Sequence, residues 1–131
     1  MTWQRLRFFV IDDDDIALRA QTAMLERAGH EVVGHVDAAE ALPDLSRRVP
    51  DGILVDVVMG GVDGLELCRQ IRRRKELDRA VIVAVTQLSD ENYWRARLGE
   101  VGAAGLVAKP LDQRALGEIE RLVRAGVRPP G

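Results

Sequence analysis

The sequence is poor in several residue types, and each shortage excludes a class of protein. Cys68 is the only cysteine, so an internal disulfide is impossible and nothing indicates an oxidising compartment. No apolar run approaches the ~20 residues of a membrane helix, and the N-terminus lacks the apolar segment of a signal peptide. The 12 Gly and 5 Pro follow no period, which excludes a collagen-like chain. We therefore expect a cytoplasmic domain without membrane insertion.

An excess of charge of either sign is also missing. The 19 Lys plus Arg and 21 Asp plus Glu leave a net charge of −2, whereas a nucleic-acid-binding domain normally carries a strong basic excess. The basic run at residues 72–75 indicates a solvated helix end, so we expect no direct contact with nucleic acid. Histidine is represented by His30 and His35 alone, which disfavours a zinc site. Lysine is equally scarce, since Lys75 and Lys109 stand among many arginines.

The abundant residues are apolar, and their pattern predicts the fold. With 131 residues, 47% of them apolar, the chain is sufficient for one domain with a core. Segments of helical period alternate with five short apolar runs, at residues 6–11, 32–36, 53–58, 81–85 and 106–108. This alternation predicts βαβ units, a parallel sheet and a doubly wound three-layer sandwich. We assign residues 1–126 to the domain and residues 127–131 to a tail or the start of a linker.

Three segments place apolar residues at helical spacing and predict which helix faces enter the core. The first stripe comprises Ile16, Ala20, Ala23 and Met24, and Gly29 marks the end of its helix. The two later stripes consist of Leu65, Cys68 and Ile71, and of Leu116, Ile119, Leu122 and Val123.

Polar side chains follow three of the apolar runs, and Asp56 lies near the end of a fourth. The carboxyl ends of parallel strands meet at one edge of a sheet, so we expect Asp12, Asp13, Asp56, Thr86 and Lys109 to converge there. Carboxylates packed together repel one another unless a cation is present, and Mg²⁺ prefers such oxygen ligands. Next to one lysine and one hydroxyl, this acidic group predicts phosphoryl chemistry.

The motifs at residues 9–14, 53–56, 62–67, 83–86 and 102–110 resemble those of CheY-like response-regulator receiver domains. The similarity covers residues 5–124, in the family's order and close to its spacing. It implies a flavodoxin-like, doubly wound (βα)5 sandwich whose five-stranded parallel sheet has the order 2-1-3-4-5. It also implies a two-component signalling domain that catalyses only its own aspartyl phosphorylation and dephosphorylation.

The resemblance implies a role for each polar residue. Asp56 is expected to accept a phosphoryl group from a sensor histidine kinase or a histidine phosphotransfer protein. Lys109 and the metal would neutralise the transferring group, and Thr86 would hydrogen-bond it afterwards. The expected ligands of Mg²⁺ all offer oxygen atoms: Asp12, Asp13, Asp56 and the backbone carbonyl of Val58.

The resemblance further implies a switch in partner binding. Movement of Thr86 towards the phosphoryl group would shift a two-state equilibrium. The face formed by the fourth and fifth helices and the fifth strand would then bind a downstream effector, a fused output domain or a second copy in a homodimer.

Several residues depart from the family pattern. Leu106 replaces an aromatic residue, Gln87 replaces a small one, and Gly60 replaces a proline. Val58 and Leu88 flank the expected path of the hydrolytic water, and neither side chain can orient a water molecule. We therefore predict slow self-dephosphorylation.

Other residues carry local expectations. Asp14 and Asp15 are expected to cap the helix that follows them or to be solvated, and not to bind metal. The family resemblance implies a cis peptide bond before Pro110. For Tyr93 and Trp94, on the predicted fourth helix, core packing and a partner surface both remain open.

Two other functions compete with phosphoryl acceptance. A pseudo-receiver would keep the fold as an interaction scaffold and act without phosphate, which the three departures leave open. A phosphatase of the haloacid dehalogenase type would use Asp12 as nucleophile and Asp14 as acid/base. Such enzymes need a later acidic pair at a strand end, and nothing after Asp90 supplies one.

Overall fold

Five parallel strands form the central sheet of the computed structural model, which describes residues 4–59, 62–87 and 91–126. The strands in chain order are β1 (Arg7–Ile11), β2 (Glu31–His35), β3 (Gly52–Asp56), β4 (Val81–Thr86) and β5 (Ala103–Ala108). Their order in the sheet is β2-β1-β3-β4-β5, and each neighbouring pair is parallel. The predicted doubly wound sheet of order 2-1-3-4-5 is confirmed.

Helices cover both faces of the sheet. They are α1 (Asp15–Arg27), α2 (Ala38–Arg47), α3 (Gly64–Arg72), α4 (Glu91–Glu100) and α5 (Gln113–Gly126), with a short 3-10 helix at Lys75–Leu77. Alternate strand residues enter two core clusters, as a sheet covered on both faces requires. Phe9 and Ile53 pack with residues of α2, α3 and α4, whereas Phe8 and Leu54 pack with residues of α1 and α5. The three predicted layers are therefore present.

The strands differ from the predicted runs at their ends. Strand β3 ends at Asp56, and Val58–Met59 pairs antiparallel with Val62–Asp63 in a small hairpin that the sequence did not predict. Strand β5 begins three residues before the predicted run, at Ala103. Its first residues are small and carry little hydrophobic signal, and the third of them, Gly105, lies close to a side chain of α5. A Cβ atom on Gly105 would lie 2.6 Å from a methyl carbon of Leu122.

The predicted core face of α1 is wrong. The buried residues of this helix are Leu18, Gln21 and Leu25, whereas Ile16 is 80% exposed and Met24 is only partly buried. Packing against the sheet favours the two large leucines over the alanines of the predicted stripe, although a glutamine lies between them. The stripes of α3 and α5 are confirmed, with Leu122 partly buried.

Three local expectations can be compared with the structure. Asp14 caps α1 as predicted, since its carboxylate accepts a hydrogen bond from the Ile16 N–H at 3.0 Å. Cys68 is a buried core residue, and burial raises the pKa of its thiol to about 12. The solvated helix end is wrong for Arg72, whose guanidinium donates to the carbonyls of Leu77 and Ala80 at 3.1 and 2.5 Å.

In the described part of the chain, no helix is both long and apolar enough to span a membrane.

Candidate functional site

The predicted site residues meet at the edge formed by the carboxyl ends of the strands. Asp12 and Asp13 follow β1, Asp56 ends β3, Thr86 ends β4, and Lys109 follows β5. Carboxylate oxygens of the three aspartates lie within 4.8 Å of one another. Asp12 and Asp56, which are 44 positions apart in the chain, therefore lie in one acidic cluster, as the parallel topology predicts.

Lys109 joins two of these carboxylates. Its Nζ lies 2.7 Å from Oδ2 of Asp12 and 3.2 Å from Oδ2 of Asp56. Its backbone N–H donates to the carbonyl of Thr86 at 2.8 Å, and the peptide bond to Pro110 is cis, as expected. Burial acts to lower the pKa of Lys109, but the hydrogen bonds and charges of Asp12 and Asp56 raise it above its ordinary value. The ammonium is therefore charged at neutral pH.

Asp56 is buried, with 7% of the residue exposed. Burial raises the pKa of its carboxyl above the ordinary value, and the negative charge of Asp12 raises it further. The N–H of Val58, which donates to Oδ1 at 3.1 Å, and the ammonium of Lys109 lower this pKa only in part. The carboxylate is thus held in a site with too little positive charge, where a further cation would stabilise it.

Asp12 is held by two further hydrogen bonds. Its Oδ1 accepts from the backbone N–H of Asp14 at 3.0 Å, and its Oδ2 accepts from Nε2 of Gln21 at 2.9 Å. Gln21 was not among the predicted site residues. The available signal was a polar residue between Leu18 and Leu25, but only the packing shows that this face of α1 is buried.

Comparison with known proteins decides the family. Residues 8–120 match the response regulator receiver domain family. The chain belongs to this family. The receiver domain is 36% identical over 120 residues to the transcriptional regulatory protein AfsQ1 of Streptomyces coelicolor, covering 91% of this chain and 52% of AfsQ1. It is 30% identical over 122 residues to the protein PilH of Pseudomonas aeruginosa, covering 92% of this chain and 98% of PilH.

The solved structures agree on the fold. The chemotaxis protein CheY4 of Vibrio cholerae superposes with a TM-score of 0.83 at 24% identity, covering 92% of this chain and 99% of that one. The receiver domain thus has nearly the length of CheY4 and PilH but spans about half the length of AfsQ1.

The donor set of this receiver domain fits a divalent cation. Asp12 and Asp56 are buried, Asp13 is exposed, and all three offer carboxylate oxygens to one point. Hard cations such as Mg²⁺ take oxygen ligands of this kind. One ammonium facing three carboxylates leaves negative charge that such an ion would balance.

A cavity of about 230 Å³ gives access to Asp56. Its lining includes Asp13, Val58, Gln87 and Lys109. Gln87, one of the departures from the family pattern, is therefore next to the acidic cluster. Leu106 is buried in the core beside α4, whereas Gly60 and Leu88 lie outside the described residues.

The two aromatic residues of α4 have different surroundings. Trp94 packs against the core, while Tyr93 is 47% exposed and lies edge-on to it, with ring centroids 5.1 Å apart. The guanidinium of Arg97 lies 4.3 Å from the centre of the Tyr93 ring. Core packing therefore holds for Trp94, and Tyr93 offers an aromatic surface.

Proposed function

We propose that this receiver domain accepts a phosphoryl group on Asp56 from a histidine kinase or a histidine phosphotransfer protein. The observation that carries the proposal is the buried Asp56 carboxylate, 3.2 Å from the Lys109 ammonium and beside two more carboxylates. An Asp56 oxygen attacks the phosphorus, and the phosphorus–nitrogen bond breaks. Its electron pair stays on the departing imidazole, while the aspartyl phosphate forms. The domain catalyses this step and the later hydrolysis on itself alone.

The remaining site residues hold and stabilise the group. Asp12, Asp13, Asp56 and the backbone carbonyl of Val58 are the proposed ligands of Mg²⁺, which neutralises negative charge on the phosphoryl oxygens when bound. Lys109 moves from the carboxylates to a phosphoryl oxygen. The hydroxyl group of Thr86 donates a hydrogen bond to another phosphoryl oxygen. Positioning and charge thus account for the reaction.

We further propose that movement of Thr86 changes the surface of α4, β5 and α5. Thr86 ends β4 and accepts, through its carbonyl, the backbone hydrogen bond of Lys109. A shift of either residue therefore disturbs the pairing of β4 with β5. Tyr93 and Arg97 on α4 offer the exposed aromatic and cationic groups that protein interfaces favour.

The partners of that surface are also proposals. PilH is matched over nearly its whole length, which is compatible with a separate effector protein. AfsQ1 is described as a transcriptional regulatory protein and is matched over half its length, which is compatible with an output domain fused after residues 127–131. A homodimer through the same face is the third arrangement.

Incubation with Mg²⁺ and acetyl phosphate, followed by peptide mass spectrometry, tests the phosphoacceptor. We expect a phosphoryl label on Asp56 that is absent in Asp56→Asn. Asp44→Asn is the matched control, because Asp44 is buried to the same extent but lies outside the cluster. A label on Asp12 would instead support the phosphatase mechanism and contradict the proposal.

A scaffold that acts without phosphate is the alternative function, and the position of Gln87 in the cavity next to Lys109 supports it. Gln87→Ala separates the two functions. If Gln87 only restricts entry, the variant is labelled by acetyl phosphate faster than the wild type. If neither the wild type nor the variant is labelled, whether by acetyl phosphate or by a phosphorylated histidine phosphotransfer protein, the result supports a scaffold that acts without phosphate.

Slow self-dephosphorylation is a separate proposal. The Val58 side chain is exposed at the mouth of the cavity and carries no group that could orient a water molecule. We expect Val58→Asn to speed the loss of label from Asp56, because its amide could orient the hydrolytic water. An unchanged hydrolysis rate would show that Val58 does not limit it.

A further inference from the structure

Gln21 lies in the middle of the buried face of α1, between Leu18 and Leu25, and is 4% exposed. Burying an amide costs free energy unless hydrogen bonds replace those to water. An apolar residue at this position would pack without that cost. The partner of Gln21 is therefore informative, and it lies in the acidic cluster.

The amide group of Gln21 has a defined orientation. Its Nε2 donates to Oδ2 of Asp12 at 2.9 Å and to the carbonyl of Ala17 at 3.2 Å. Both oxygens only accept hydrogen bonds, so the nitrogen rather than the oxygen of the amide must face them. The bond to Ala17 anchors the group on its own helix, and the other proton points at Asp12.

Asp12 thus receives both neutral and charged donors. The neutral donors are Gln21 and the N–H of Asp14, and the charged donor is the ammonium of Lys109 at 2.7 Å. A divalent cation held by Asp12, Asp13 and Asp56 would repel that ammonium, because both charges are positive. The neutral donors experience no such repulsion and remain in place.

We propose that Gln21 is a positioning residue of the metal site, and this inference rests on the proposed function. It keeps the Asp12 carboxylate in one orientation when repulsion by the cation weakens the contact of Asp12 with Lys109. Hydrogen bonds that orient a metal ligand commonly change metal affinity by about 10–100-fold. Gln21 therefore sets how tightly the receiver domain binds Mg²⁺ without touching the ion.

Gln21→Met tests the proposal, since methionine has a similar length and volume but no donor. We expect the Kd for Mg²⁺, measured by calorimetric titration, to rise about tenfold. In acetyl phosphate labelling, the half-saturating Mg²⁺ concentration should rise by the same factor, with the rate at saturating Mg²⁺ within about twofold of the wild type. Gln21→Leu provides a second apolar variant, and Gln70→Met on α3 is the control in which neither value changes.

The possible outcomes separate this inference from the proposed function. A wild-type protein that binds no Mg²⁺ overturns both. A wild-type protein that binds Mg²⁺ while Gln21→Met and Gln21→Leu keep its Kd overturns the role of Gln21 alone. A lower rate at saturating Mg²⁺ with an unchanged half-saturating concentration also overturns it, because Gln21 would then act only in packing.

Discussion

Asp44 and Asp56 each leave 7% of the residue exposed, but burial is the largest influence on the pKa of Asp56 and a lesser one on that of Asp44, and the two carboxylates receive different amounts of positive charge. Asp44, on α2, accepts hydrogen bonds from Arg48 at 2.9 and 2.5 Å and contacts His35 Nε2 at 2.8 Å. The hydrogen bonds from Arg48 and His35 lower the pKa of Asp44 far below its ordinary value. Asp56 shares the single ammonium of Lys109 with Asp12, and its pKa is raised.

The contrast separates a structural carboxylate from the one that we propose to be reactive. The hydrogen-bond donors around Asp44 balance its negative charge. The residue therefore links α2 to β2 and keeps no unbalanced charge that could bind a ligand. Asp56 has too few positively charged donors. The folded protein therefore retains an unbalanced negative charge at an accessible edge of the sheet. Perturbed pKa values of this second kind are typical of functional sites. The sites are also neighbours, because the carbonyl of His35 accepts the N–H of Asp12 at 3.1 Å.

Removing the shared ammonium should have the largest effect. Lys109→Met leaves Asp12 and Asp56 buried without a cation, and we expect a loss of about 3 kcal/mol in the free energy of unfolding at neutral pH. Urea unfolding with a chelator present measures it. Lys75→Met is the matched control, because Lys75 is exposed. Equal stability of the two variants would show that Lys109 is not needed to balance the cluster.

Adding the missing positive charge should have the next largest effect. Mg²⁺ at about 100 times its Kd should stabilise the wild type by ~2.7 kcal/mol, since it binds only the folded state. Thermal unfolding with and without Mg²⁺ measures this gain. The gain should persist in Asp44→Asn and be much smaller in Asp56→Asn. A similar gain in both variants would place the ion elsewhere.

Removing one charge from each buried carboxylate should change stability in opposite directions. Without metal at neutral pH, Asp56→Asn should stabilise the protein, because part of the desolvation cost and the repulsion from Asp12 disappear. Asp44→Asn should destabilise it, because Arg48 and His35 lose their negative partner. Urea unfolding measures both changes in the free energy of unfolding. Changes of the same sign in the two variants would contradict the proposed difference between the two carboxylates.

Acid should reveal a smaller effect in two separate pH ranges. The raised pKa of Asp56 means that its ionised form opposes folding at neutral pH, and this penalty disappears as the pH falls towards the ordinary Asp value of about 3.9. The lowered pKa of Asp44 contributes stability above that value, which is lost as the pH falls below it. The advantage of Asp56→Asn should therefore shrink before the deficit of Asp44→Asn does. Urea unfolding of both variants across the acid range measures these differences. The prediction is wrong if the deficit of Asp44→Asn shrinks at a higher pH than the advantage of Asp56→Asn.

Much of the fold and the positions of the site residues could be predicted from the sequence. Strands β3 and β4 are buried throughout and read as continuous apolar runs, and the parallel topology brings Asp12, Asp56 and Lys109 to one edge. The start of β5 and the pairing of Val58–Met59 with Val62–Asp63 were missed, because small residues and two-residue strands carry almost no periodic signal.

Chain order alone is enough to predict the five strands and five helices and the residues that reach the edge of the sheet, because hydrophobic period and strand direction can be read from it. The tertiary structure alone decided how α1 is rotated, with Ile16 exposed and Gln21 buried against Asp12. It also decided that Asp44 and Asp56 acquire opposite pKa shifts. The physical reason is that hydrogen bonds and charge balance depend on distances between side chains, which a linear sequence does not contain.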